Sequence, residues 1–190
     1  TLENNEGLIN DFGDWDGFRP QNRSGKSWSS SQFTVATRTV SGIKSPTLVA
    51  IGKGGKILSR DADLIIADDI EDHGSTVQPS ARENTRNWWT TTLQSRKEEH
   101  TGMVVIGSRQ HPDDLYHHLL ENKAWETIVD RAHDLEVPLE DETIDHTKHM
   151  LWSTKRTHKW LLEQLAAAET TGGRNIFEMV YLNKAIPQGM

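Results

Sequence analysis

With 190 residues, 26% charged and 34% hydrophobic, the chain is long enough to bury a core, and its composition is not that of a disordered protein. A net charge of −7 excludes a nucleic-acid surface spread over the whole molecule, since phosphate contacts need lysine and arginine. With no cysteine, disulfides and thiolate metal sites are excluded, and no apolar run approaches the roughly 20 residues of a membrane span.

Residues Thr1 to Ser31 are rich in Asn, Asp, Gly and Ser and read as a partly helical or looped lead-in. Phe33, Val35 and Thr37 alternate with polar residues and predict a half-buried strand over Gln32 to Val40. Thr47 to Ile51 predicts a second strand, which Gly52-Lys53-Gly54-Gly55 turns toward Lys56 to Leu58 as a hairpin. A short apolar run, Leu64 to Ala67, then predicts a buried parallel strand within Asp63 to Asp72. Pro79 and the capping-box pair Ser80 and Glu83 start a helix running to Arg96, with Ala81, Thr85, Trp88, Trp89, Thr92 and Leu93 on one apolar face. That face assigns the two tryptophans to core packing rather than base stacking.

Met103 to Gly107 is a further buried strand, and Pro112 opens a helix with Leu115, Tyr116, Leu119 and Leu120 on its apolar face. Trp125 to Arg131 predicts a strand, and Glu136 to Asp145 an acidic surface loop. A helix over Thr157 to Ala168 carries Trp160, Leu161 and Leu165; Gly172-Gly173 breaks it before a last helix through Phe177, Val180 and Tyr181. Buried strands alternating with helices predict an α/β sheet, mainly parallel at its centre. The basic stretches Arg19 to Lys26 and Lys148 to Lys159 read as solvated loops.

The chemistry gathers after two of these strands. Leu64 to Ala67 delivers paired carboxylates, Asp68 and Asp69, as a Walker B strand does. Carboxylates at the carboxyl end of a parallel strand suit a hydrated Mg²⁺ held against phosphate oxygens. Gly107-Ser108-Arg109 follows Met103 to Ile106 in the same way. One helix between the strands makes a βαβ unit that sets a hydroxyl and an arginine beside the carboxylates. His73 and His111 lack the compact pairing of a metal site, and Asp113 and Asp114 fit the first turn of a helix, where the dipole favours negative charge.

Asp63 to Asp72, with Met103-Val104-Val105-Ile106-Gly107-Ser108-Arg109-Gln110-His111-Pro112-Asp113-Asp114-Leu115-Tyr116 downstream, resembles the large subunit of tailed-phage terminases, the ATP-driven motors that package viral DNA. Ser45 to Arg60 is similar to the hairpin before Walker B in that family, and Leu151-Trp152 and Phe177 to Asn183 resemble its link to a nuclease domain. The resemblance implies an α/β, P-loop NTPase-like (ASCE/RecA-type) fold, with residues 1–150 as the C-terminal portion of the motor domain and 151–190 as a helical linker. It implies ATP and Mg²⁺ as cofactors, with Asp68 on the metal, Asp69 orienting the attacking water, Ser108 and Arg109 coupling hydrolysis to movement, and Arg60 as an arginine finger. Double-stranded phage DNA, portal protein, the small terminase subunit and a homo-oligomeric ring are the implied partners, in the cytoplasm of an infected bacterium.

The chain departs from the family at the phosphate loop. Arg23-Ser24-Gly25-Lys26-Ser27 approximates it, but Pro20 stands where the first glycine belongs and no buried strand precedes it. The expectation is therefore a loop upstream of Thr1 and weak activity of this piece alone. Alternatives on the same residues are a helicase, a metal-dependent nuclease using Asp68, Asp69, Glu71 and His73, and a non-catalytic assembly module of a packaging ring.

Overall fold

The computed structural model describes residues 5–13, 18–19, 28–39, 42–43, 45–55, 57 and 62–184. Lys26 and Arg60 lie outside them, as do Lys56 and Leu58 of the expected hairpin return. The chain is mixed α/β and divides into two compact units, residues 1–63 with 92–101, and residues 64–91 with 102–190.

In the first unit, α1 (Glu6–Phe12) is capped by Asn5, whose side chain accepts the Leu8 amide at 3.0 Å. β1 (Gln32–Phe33) pairs antiparallel with β2 (Leu48–Val49). Both are far shorter than the alternation predicts, because the chain turns at Ala36–Thr37 and at Lys53–Gly54. Gly54, at φ +83°, supplies the left-handed residue that the second turn requires.

The second unit is built on β3 (Leu64–Asp68) and β4 (Gly102–Ile106), which pair in parallel with Leu64 opposite Gly102 and Asp68 opposite Ile106. The parallel pairing matches the sequence pattern; burial on both faces does not. Ile65 and Ala67 point inward, whereas Leu64 and Ile66 are 55% and 59% exposed. An apolar run cannot by itself distinguish one covered face from two. Among the described residues this sheet holds only these two strands.

The connection between β3 and β4 is not one straight helix. Asp72 caps α2 (His73–Val77) through a reciprocal box with Ser75, and α3 (Pro79–Trp88) follows with Pro79 in its first turn and no side-chain cap from Gln78. The predicted Ser80–Glu83 box is thus replaced by Asp72–Ser75. Beyond Trp88 the backbone widens into a π-helical turn, Trp89–Leu93, and a 3₁₀ turn, Gln94–Arg96. The run Thr90-Thr91-Thr92 explains the change: β-branched side chains crowd an α-helix, and Thr91 Oγ1 donates back to the Asn87 carbonyl at 2.7 Å. Trp89 is buried, as core packing demands.

After β4 comes α4 (Leu115–Glu121), with Leu115, Tyr116 and Leu119 buried and Leu120 turned outward. Trp125 to Arg131 forms no strand. An Asn122–Trp125 turn precedes it, and the segment half-buries Trp125, Val129 and Arg131 and leaves Ile128 85% exposed, with no neighbouring strand to pair with among the described residues. α5 (His158–Glu169), capped by Thr157, and α6 (Arg174–Leu182) close the unit. Met150, Leu161, Leu165 and Phe177 form their shared core, in which each buried large side chain contributes about 1.5–3 kcal/mol. Met179 is buried in place of the expected Val180. Arg174 pairs with Glu140 and Glu169, tying the acidic loop to both helices. No helix among the described residues is long and apolar enough to cross a membrane.

Candidate functional site

The carboxyl ends of β3 and β4 lie together. The Asp69 amide donates to the Ile106 carbonyl at 3.0 Å, extending the ladder one residue past Asp68. Asp68 and Asp69 are both exposed at this edge. Asp69 adopts φ +43°, a left-handed conformation that costs a non-glycine residue energy and is enriched at functional turns.

Two residues on, the chain dives inward. Glu71 is buried, and its Oε2 accepts the Leu115 amide at 2.7 Å, placing a carboxylate at the N-terminus of α4. Tyr116 lies beside it. Burial pushes the Tyr116 hydroxyl up to about 12, and the Glu71 and Asp69 carboxylates add to the effect. The ring lies so close to the β4 end that a Cβ on Gly107 would overlap its hydroxyl and Cζ, which makes glycine a requirement there.

The loop from Ser108 to Asp114 is organised by one fully buried carboxylate. Asp114 accepts from Arg109 Nε at 3.0 and 3.1 Å, from the Gln110 and His111 amides at 2.8 and 3.0 Å, and from the His117 amide at 2.7 Å as the cap of α4. Arg109 Nη2 donates to the His111 and Pro112 carbonyls, and the Arg109 amide to Asn183 Oδ1 at 2.9 Å. The guanidinium thus braces its own loop, while Ser108 Oγ accepts from Gln110 Nε2 at 2.9 Å. The two strand ends are brought together as the sequence pattern expects, but these side chains engage the loop rather than the carboxylates.

Asp113 joins the loop to α3. Arg82 Nε donates to Asp113 Oδ2 at 3.1 Å while its Nη1 donates to the Thr76 carbonyl, and Arg86 and His118 also reach Asp113. Burial alone would raise the Asp113 carboxyl, but the Arg82 and His118 hydrogen bonds outweigh it and hold the group at about 2. His111 Nδ1 accepts the Asp113 amide at 3.0 Å, and burial with the facing Arg82 charge lowers its proton affinity. A cleft bordering this loop is lined by Val105, Tyr116, Leu119, Trp125 and Asn183, with Asp68 and Asp69 outside it.

Among the described residues no three His, Asp or Glu side chains converge at metal-holding spacing. Glu71 and Asp72 are engaged with Leu115 and Ser75. A cation at Asp68 would be held by its exposed carboxylate together with water and phosphate oxygens, the mode Mg²⁺ favours. Sequence reasoning missed Arg82 and Tyr116 as parts of this framework. The signal for Arg82 was a charge beside Thr85 on the face of α3 that packs inward.

The fold and site define a mixed α/β protein with paired carboxylates at the end of a small parallel sheet. No protein-family model matches the chain, and no curated protein matches it at a significant level.

Proposed function

We propose that the β3–β4 edge is a magnesium–nucleotide phosphate site, and that the chain is part of a tailed-phage terminase large subunit coupling ATP hydrolysis to packaging of DNA into the procapsid. The observation that carries this reading is the exposed Asp68-Asp69 pair, with Asp69 left-handed, at the shared end of two parallel strands. Ligands of open α/β sheets gather at such ends. In this scheme Asp68 holds hydrated Mg²⁺ and Asp69 orients the attacking water. Ser108 and Arg109 transmit the state of the phosphate through the loop that Asp114 organises. The larger P-loop NTPase sheet, the arginine finger Arg60, the ring of subunits and the DNA, portal and small-subunit partners belong to the same proposal. A nuclease reading is less well supported, because Glu71 and Asp72 are engaged within the fold.

Manganese binding with ATP present, followed by electron paramagnetic resonance, tests it. Asp68→Asn is expected to weaken Mn²⁺ uptake at least about tenfold, the effect of one lost charged ligand, with an unchanged circular dichroism spectrum. Equal uptake by wild type and Asp68→Asn would sink the proposal. Mn²⁺-dependent DNA cleavage without nucleotide binding would replace it with the nuclease.

A further inference from the structure

His133, His146, His149 and His158, separate in sequence, meet where the 132–151 segment packs on α5. His133 and His146 are 1% and 3% exposed, with His133 Nε2 only 2.8 Å from His146 Nδ1. His146 Nε2 donates to the Asp141 carbonyl at 2.8 Å. The His158 ring stacks on His146 at 3.6 Å and 14°, and its Nε2 donates to the Leu139 carbonyl at 2.6 Å. His149 Nδ1 lies 2.9 Å from Asp134 Oδ2, and its ring centroid 6.3 Å from that of His133. Backbone bonds frame the cluster: Asp134 amide to His149 carbonyl, Leu151 amide to Ala132 carbonyl, and Ala132 amide to the Tyr181 carbonyl of α6.

Proton counting makes this cluster responsive to acid. A carbonyl can only accept, so His146 Nε2 carries hydrogen, and a hydrogen bond between His133 and His146 needs one bare nitrogen. The pair cannot be doubly cationic while that contact holds. In an open chain both rings take up protons near the ordinary value of about 6.5. The closed form therefore binds at least one proton fewer in acid, and burial lowers His133 further. Because burial lowers His133, the stability its neutral form contributes is present above the ordinary value of about 6.5 and declines as pH falls below it. The charged groups facing the cluster are Asp134, beside His133 and His149, and Asp141, beside His146. Asp145, with Lys148 near it, faces His149, and α5 contributes His158 itself.

We propose that His133 and His146, flanked by His149 and His158, form an acid-sensitive latch that holds the 132–151 segment against α5 and α6 at neutral pH and releases it in acid. The latch connects to the Ser108–Asp114 loop. Ala132 is tied to Tyr181, and Asn183, which caps α6, accepts the Arg109 amide. Release removes one tie from the helix that braces Arg109.

Amide hydrogen exchange on the full chain between about pH 7.5 and about pH 5, corrected for the chemical exchange rate, tests the latch independently of the proposed ATP site. One proton of difference predicts an opening constant at Asp134 and Leu151 that rises about tenfold per pH unit below about 6.5. The Asp69 amide, in the β3–β4 ladder, is expected to change less than about twofold. His133→Asn should flatten the Leu151 profile. If that variant does not fold, ¹⁵N titration of the wild-type rings decides. Both rings protonating while Leu151 stays protected overturns the latch, as does a pH-independent opening constant or an equal loss at Asp69.

Discussion

Replacing Asp114 with alanine removes a fully buried carboxylate that accepts from Arg109, from the Gln110 and His111 amides and, as the cap of α4, from the His117 amide. Loss of a helix cap alone costs about 1 kcal/mol. Removing one member of a buried ion pair costs about 3–5 kcal/mol, because the remaining charge stays desolvated. Arg109 is largely buried and can relax only partly toward solvent, so a loss of about 4 kcal/mol is expected. Such a loss is a large share of the roughly 5–15 kcal/mol that holds a typical domain. Urea denaturation followed by tryptophan fluorescence measures it. Arg109→Ala and the double variant complete a cycle whose coupling should reach about 2 kcal/mol. A loss below about 1 kcal/mol for Asp114→Ala would show Asp114 to be an ordinary cap and refute the reasoning.

Gly107→Ala should destabilise by about 1–3 kcal/mol, read as a lowered melting temperature, because the new Cβ must displace the buried Tyr116 ring; an unchanged melting temperature would contradict the close approach. Spectrophotometric titration at alkaline pH should show Tyr116 ionising near 12. Since its folded value is raised, its stability contribution is complete below the ordinary value of about 10 and is lost as pH rises through the folded one. Tyr116→Phe should abolish that late step. Asp113, held at about 2, contributes stability present above the usual carboxyl value of about 4 and lost as pH falls toward 2. Arg82→Gln should raise the Asp113 titration midpoint in ¹³C spectra, and an unmoved midpoint would discount that hydrogen bond.

The parallel strands β3 and β4 were legible because a short run of apolar residues ending in polar groups has few other homes. The helix starting near Thr157, with Leu161 and Leu165 on its apolar face, was legible because helical spacing depends on local geometry alone. Helical periodicity carries the predicted helix through Thr90–Thr92 to Arg96 and does not register the π turn that forms there. Trp125 to Arg131 has a strand's alternation, yet a strand exists only where another edge offers hydrogen bonds.

The Asp68-Asp69 pair and the Ser108-Arg109 pair follow from sequence, since each stands at the end of its own strand. Tertiary structure alone decided that Arg109 turns to Asp114, that Glu71 is buried on α4 and that His133 meets His146. The physical reason is common to all three. A side chain's partner depends on which groups the folded chain brings within about 3 Å of it, whether five residues away, as Asp114 is from Arg109, or 44, as Leu115 is from Glu71, and burial then determines which charges and protons that contact can hold.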